Sequence, residues 1–262
     1  MSMKAQERTS TSLERIDSVA IVTLQRPQRR NALSLAVMRE LAATLRELGR
    51  ERSVRAVVIA AEGPAFSAGH DLTELCGRDV AAYREIFDGC VDLMNAVREI
   101  PQPVIAEVAR VATAAGCQLV AACDLAVAST EATFATPGVR IGLFCSTPMV
   151  ALTRAIGRKR AMEMLLTGES IDAATALVWG LVNRVVPPGE LRETVLALGR
   201  RIAESSGAVV AIGKRAFYAQ IERAESEAYD HTKAVMTENA LREEAQEGIS
   251  AFLEKRRPRW NS

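Results

Sequence analysis

Ala114-Ala-Gly-Cys-Gln-Leu-Val-Ala-Ala-Cys-Asp-Leu-Ala-Val-Ala128 is the stretch on which the fold class turns. Gly116 to Cys123 reads as a short helix, and Asp124 to Ala128 follows at once as a short apolar strand. The same alternation runs upstream. Val19-Ala-Ile-Val-Thr-Leu24 is a β-branched apolar run stopped by Pro27, and Ser34 then opens a helix. Met38, Leu41, Leu45 and Leu48 recur at steps of three, four and three, the spacing of one buried helical stripe that ends near Gly49. Val54 to Ala61 is a second strand, followed by a glycine-bearing loop, Glu62-Gly-Pro-Ala-Phe-Ser-Ala-Gly69. A helix over Val80 to Glu99 and a strand over Pro103 to Val108 complete the approach to Ala114. Strands alternating with helices imply an α/β fold. Beyond Pro148 the pattern becomes helical apart from a short strand at Val182 to Val186, and Pro187-Pro188 marks the expected boundary between a core, 1–188, and a helical C-terminal region, 189–262.

The composition narrows the function classes. The 262 residues are 48% hydrophobic, enough for one substantial core, and 33 basic against 32 acidic side chains leave a formal charge of +1. No global field attracts nucleic acid or an anionic membrane, so a small molecule is the expected partner. Five cysteines without a CxxC pair argue against a disulfide framework or a zinc site, and no metal or separate cofactor is expected. The polar opening Met1 to Ser12 lacks the apolar stretch of a secretory signal, so a soluble, unprocessed, cytoplasmic protein is expected. Only His70 and His231 are available to any mechanism that needs an imidazole.

Three stretches read together, Leu24-Gln-Arg-Pro-Gln-Arg-Arg-Asn-Ala-Leu33, Phe66-Ser-Ala-Gly-His-Asp-Leu72 and Ala114 to Asp124, resemble the enoyl-CoA hydratase/isomerase (crotonase) family over nearly the whole chain. The resemblance implies the ClpP/crotonase-like spiral of ββα units, with a C-terminal helical region that builds a homotrimer or a dimer of trimers. It also implies an acyl-CoA thioester as partner, the coenzyme A being part of the substrate. The common chemistry holds the thioester carbonyl between two backbone N–H groups, each worth about 2.7 to 4 kcal/mol when charge develops on that oxygen. By the match these donors are His70, within Ala68-Gly-His-Asp-Leu72, and Ala115, beside Gly116 at a helix start. Ala68, Asp71, Leu72 and Gly116 are the expected substrate contacts around them. Arg30 and Ala32, with Arg26 and Arg29 as further candidates, are expected near coenzyme A, and the closing Phe252 to Trp260 either closes over coenzyme A or makes an oligomer contact.

The sequence departs from the family at the chemistry. Hydratases position and deprotonate water with two glutamates, and by the match these positions are Gln118 and Gly138 here. An amide does not ionise in the working range and cannot serve as a general base. Gln118 lies three residues beyond Ala115, so both are expected on one helix face with the amide toward the acyl group. Two substitutes are open. Cys145 or Ser146, ahead of Pro148, reads either as a nucleophile with a pKa depressed by a helix N-terminus, or as a buried small residue and a helix N-cap. The His70 imidazole reads as an acid or base with Asp71, Glu74 or Glu107 as partner, or as a side chain turned away from the site. The chain is therefore expected to be an acyl-CoA enzyme with weak or absent hydration, a thioester hydrolase, or a non-catalytic acyl-CoA-binding protein or scaffold.

Overall fold

The structure is a computed structural model that describes residues 9–261, so the polar opening Met1–Ser12 lies largely outside the described residues. In chain order, β1 (Thr11–Ile16) and β2 (Val19–Leu24) form an antiparallel hairpin whose turn places Asp17 at φ 54°. Then α1 (Leu35–Leu48) begins at Ser34, whose hydroxyl accepts from Val37 N–H, and it buries the expected stripe of Met38, Leu41, Leu45 and Leu48. Next come β3 (Ala56–Ala61), β4 (Ala65–Ser67) and α2 (Val80–Glu99), then β5 (Val104–Val108), β6 (Val111–Thr113) and α3 (Ala115–Ala122), then β7 (Leu125–Ser129) and β8 (Thr133–Ala135). The chain continues through α4 (Pro148–Ile156), α5 (Arg158–Thr167), β9 (Ile171–Asp172), α6 (Ala173–Trp179), β10 (Arg184–Val186), α7 (Leu191–Ala203), α8 (Gly207–Gln220), α9 (Glu225–Ala240) and α10 (Glu243–Leu253).

The pairs β3/β4, β5/β6 and β7/β8 each contribute their first strand to a six-stranded sheet, ordered β1-β2-β3-β5-β7-β10, and their second to a four-stranded sheet, ordered β4-β6-β8-β9, while β1 and β2 both lie in the larger sheet. The pairings β2–β3, β3–β5, β5–β7 and β7–β10 are parallel, as are β4–β6 and β6–β8, so successive units stack in one direction as a spiral. The large sheet is covered on both faces, which explains why β5 is buried along its whole length and reads as a nearly continuous apolar run. Val57, Ile59, Val104 and Ala106 meet Leu41, Leu45, Leu93 and Val97 on one face, while Val58, Ile105 and Val127 meet Leu191, Val195 and Leu196 of α7 on the other.

The second sheet is absent from the sequence expectations. The segment read as the loop Glu62–Gly69 contains β4, and β6 and β8 are likewise three residues long, too short to show a period of two. Their stability comes from neighbours rather than from their own sequence.

Of the C-terminal helices, α8 attaches to the core through a buried cation. Lys214 of α8 sets its Nζ 2.7 Å from Asp124 Oδ2 and donates to the carbonyls of Val97 and Gln102 at 2.8 and 2.9 Å, while the Tyr218 hydroxyl donates to Asp124 Oδ1 at 2.8 Å. All three ammonium hydrogens are thereby used, which is what keeps a buried lysine tolerable. By contrast α9 buries none of its residues. Among the described residues no helix is long and apolar enough to cross a membrane.

Candidate active site

Local hydrogen bonding forces one N–H out of the loop after β4. Ala68 N–H donates to Arg30 O at 3.0 Å, Gly69 N–H to Ser67 Oγ at 3.2 Å and Asp71 N–H to Leu33 O at 3.2 Å, while Leu33 N–H takes Gly69 O at 2.8 Å. This is a single parallel bridge in which Leu33 engages the neighbours of His70 and not His70 itself. The backbone N–H of His70 is left facing the other way, and among the described residues it has no acceptor.

A second N–H comes from α3. The first residues of a helix have no intrahelical acceptor, and Ala114 enters α3 at φ 52°, ψ −120°, a conformation that costs a non-glycine residue about 1 to 3 kcal/mol. Ala114 N–H is held by Ala135 O at 2.9 Å, so this twist turns Ala115 N–H outward at the positive end of the helix. Two glycines let the two segments meet. A Cβ on Gly69, at φ +89°, would lie 2.7 Å from Ala114 Cβ and 3.3 Å from Ala115 N, and one on Gly116 would lie 2.4 Å from Ser67 O. The sequence placed His70, Ala115 and Gly116 together on resemblance, and close packing of these backbones accounts for that placement.

Both donors open on a cavity of about 570 Å³. Ala68, His70, Leu72, Ala115, Gly138, Cys145 and Ser146 line it, as does an apolar wall of Leu75, Phe87, Ile141, Leu143 and Phe144 that sequence reasoning missed. Those residues come from four separate segments, and only the fold brings them to one face.

Other expected residues lie elsewhere. Arg30 is exposed and Ala32 half-buried on the turn that braces the His70 loop, outside the cavity lining. Arg26 donates to Ser34 Oγ at 3.2 Å. The joint of this turn is Asn31, unassigned from sequence. Buried and at φ 52°, it accepts from Arg26 N–H and donates to Glu62 O and Ala65 O. Asparagine's tolerance of the left-handed region is the signal that could have found it. Asp71 caps a short 3-10 helix by accepting from Thr73, which holds its carboxyl below the usual range. In the closing segment Arg256 is taken up by Glu247 and Glu254, and Trp260 Nε1 donates to Glu204 O.

At the chemistry the structure turns Gln118 and Ser146 from their expected places and decides between the two readings of Cys145 and of the His70 imidazole. Gln118 does not face the acyl cavity: it is 4% exposed, its Oε1 lies 3.6 Å from the Cys90 thiol, and it lines a neighbouring cavity instead. Three residues along α3 leave a side chain only about 60° round from Ala115 but about 4.5 Å further along the axis, and there the Cys90 thiol holds the amide in the next cavity. Gly138 leaves no vacant room, because a Cβ there would fall 2.0 Å from Leu143 O and 2.8 Å from Cys145 Sγ. The backbone carbonyl of Leu143 fills the place a larger side chain would need.

Cys145 has a pKa raised by burial, not depressed, and Ser146 is not the N-cap: α4 starts after Thr147 with Pro148 in its first turn, and Ser146 Oγ donates to Phe144 O. His70 finds no carboxylate. Asp71 turns to Thr73, Glu74 accepts from Leu35 N–H, and Glu107 lies on the opposite sheet face with Arg192 at 3.0 Å. Burial pushes the His70 imidazole down to about 4, so it is neutral at physiological pH, edge-on to Phe87 with Nε2 unpartnered.

Among the described residues no cluster of three or more histidine, cysteine or acidic side chains could hold a metal. The arrangement is an apolar cavity with two convergent backbone donors and one neutral imidazole, suited to polarising a carbonyl rather than to ionising water.

Comparison with known proteins agrees with this geometry. The profile of the enoyl-CoA hydratase/isomerase family matches residues 14–262. Human enoyl-CoA hydratase domain-containing protein 3, mitochondrial, is 48% identical over 97% of this chain and 84% of its own length. A probable enoyl-CoA hydratase of Mycobacterium tuberculosis is 35% identical over 95% of this chain and 96% of its own. Among solved structures, an enoyl-CoA hydratase of Mycobacterium smegmatis superposes with a TM-score of 0.94 at 48% identity, covering 97% of this chain and all of that one. The human domain-containing protein 3 gives 0.93 at 47% identity, covering 96% and all of its chain. The fold is therefore the crotonase spiral expected from the three sequence stretches. The expected cytoplasmic location is overturned, since relatives from rat, human, mouse, frog and zebrafish all carry mitochondrial in their names.

Proposed function

The chain belongs to the enoyl-CoA hydratase/isomerase family, and from that premise we propose that it binds acyl-CoA thioesters and polarises their carbonyl without hydrating them at a rate typical of the family. The observation that carries this reading is Gly138, where the Leu143 carbonyl stands in the space a glutamate would need, together with an amide at Gln118 turned toward Cys90. The His70 and Ala115 N–H groups receive the thioester oxygen, and the apolar wall holds the acyl chain and excludes water. Any proton transfer falls to His70 Nε2, unpartnered in the cavity wall, although burial that holds the imidazole neutral also makes it a weak base. Cys145 is poorly suited to nucleophilic attack, because burial favours its thiol over the thiolate. The chain assembles through its C-terminal helices, a reading supported by exposed Tyr229 and Met236 on α9 and Phe252 and Leu253 on α10.

Native mass spectrometry with a panel of acyl-CoA thioesters, scoring retained ligand and changed mass, tests the proposal. Retained thioester with crotonyl-CoA left unhydrated is the expected result. Hydration at a rate typical of the family overturns it. Turnover of any other thioester that disappears in His70→Ala identifies an enzyme, and retention without turnover identifies a binding protein.

A further inference from the structure

A second cavity, of about 540 Å³, adjoins the thioester cavity, and Thr147 lines both. It runs along α3 from Gln118 to Ala122 and on past its end to Asp124, between α2, α4 and α8. Met94, Ala121, Ala122, Val150 and Leu181 make its walls apolar. With Lys214 behind Asp124 counted, its cations Arg98, Arg154 and Lys214 outnumber its carboxylates Asp124 and Glu222. Asp124 is neutralised by Lys214 at 2.7 Å and Glu222 by Arg154 at 2.5 Å. Arg98 remains, half-buried, its guanidinium 4.5 Å over the Tyr218 ring; among the described residues it makes no ion pair within 4.0 Å and no hydrogen bond, though the field of Glu222, itself paired with Arg154, reaches it. Stacking on a ring occupies the face of a guanidinium and leaves its edge donors for a planar anion. Gln118 adds a donor: with Oε1 engaged by the Cys90 thiol, its Nε2 is the group offered to the cavity.

We infer that this cavity receives the distal carboxylate of a dicarboxylic acyl thioester, with the Arg98 guanidinium as counter-ion and the Gln118 amide as a second donor. The inference rests on the thioester reading of the first cavity and names its substrate class. An apolar passage with one positive charge in excess at its end matches a methylene chain ending in a carboxylate, and an unsubstituted chain brings no group to meet the half-buried Arg98 fork. Gln118 stands about 4.5 Å of helix rise beyond Ala115 and the cavity continues past the end of α3, so a chain that reaches Arg98 carries several methylenes. Gln118 then has a use that a glutamate could not serve, since a carboxylate there would repel the ligand's own.

Isothermal titration calorimetry of the full chain with octanoyl-CoA and suberoyl-CoA, which differ only in the terminal carboxylate, tests this at fixed ionic strength. Suberoyl-CoA is expected to bind about tenfold or more tighter, the worth of a charge-assisted hydrogen bond. In Arg98→Leu the ratio of the two affinities falls to about one, and in Arg98→Lys, which keeps the charge without the planar fork, it takes an intermediate value. Equal affinities in the natural sequence, or a preference that persists in Arg98→Leu, overturn the inference while leaving the proposed function standing. Failure of the folded natural protein to bind either thioester overturns both.

Discussion

Replacing Gly138 with alanine places a methyl carbon 2.0 Å from the Leu143 carbonyl oxygen and 2.8 Å from the Cys145 sulfur, where ordinary contacts begin at 3.4 Å. The oxygen belongs to backbone and cannot swing aside as a side-chain end would. Leu143 must withdraw by well over an ångström, which strains the 3.0 Å hydrogen bond from Leu143 N–H to Gly138 O. Overpacking of this kind costs about 1 to 3 kcal/mol and a weakened hydrogen bond about 1 more. Gly138→Ala is therefore expected to lose about 2 to 4 kcal/mol, a drop in melting temperature on the order of 5 to 15 °C. Gly213→Ala is the control: nothing lies within 4 Å of a Cβ there, and within α8 alanine gains up to about 1 kcal/mol. The consequence for chemistry is that Gln118→Glu with Gly138→Glu does not restore crotonyl-CoA hydration, because the second carboxylate enters only by displacing the Leu143–Cys145 wall. Unchanged melting of Gly138→Ala, or hydration by the double variant, refutes the reasoning.

Three further outcomes are expected. With its imidazole held near 4 in the folded state against 6.5 unfolded, His70 contributes stability that is full above about pH 6.5 and is lost as pH falls toward 4. The loss amounts to about 3 kcal/mol, and denaturant titrations at pH 7 and pH 4 should show a correspondingly smaller loss in His70→Leu. Lys214→Met leaves Asp124 and the Val97 and Gln102 carbonyls without their donor and is expected to destabilise by about 3 to 5 kcal/mol in urea unfolding. Gly116→Ala, which sets a Cβ 2.4 Å from Ser67 O, pushes α3 away from β4 and separates the two carbonyl donors. Its bound thioester should show a carbonyl stretch shifted back toward the free value in difference infrared spectra.

The long elements were legible in the chain because each carries its own periodic signal. The α1 stripe, the 80–99 helix and the Val19–Leu24 run all appear where the residues place them. The four-stranded sheet was not legible. Three-residue strands such as Ala65–Ser67 have no period to read and exist because parallel neighbours complete their hydrogen bonds.

At the site, the sequence by itself determined that no carboxylate stands at positions 118 and 138, since residue identity is local information. It also marked Gly69 and Gly116, where resemblance placed the two N–H donors. What those absences mean was decided only by tertiary structure. Leu143 O occupies the place beside Gly138, Gln118 turns to a second cavity, and burial leaves Cys145 protonated and His70 neutral. The direction and protonation of a side chain depend on atoms brought near it from distant segments, and no pattern along one stretch of chain contains them.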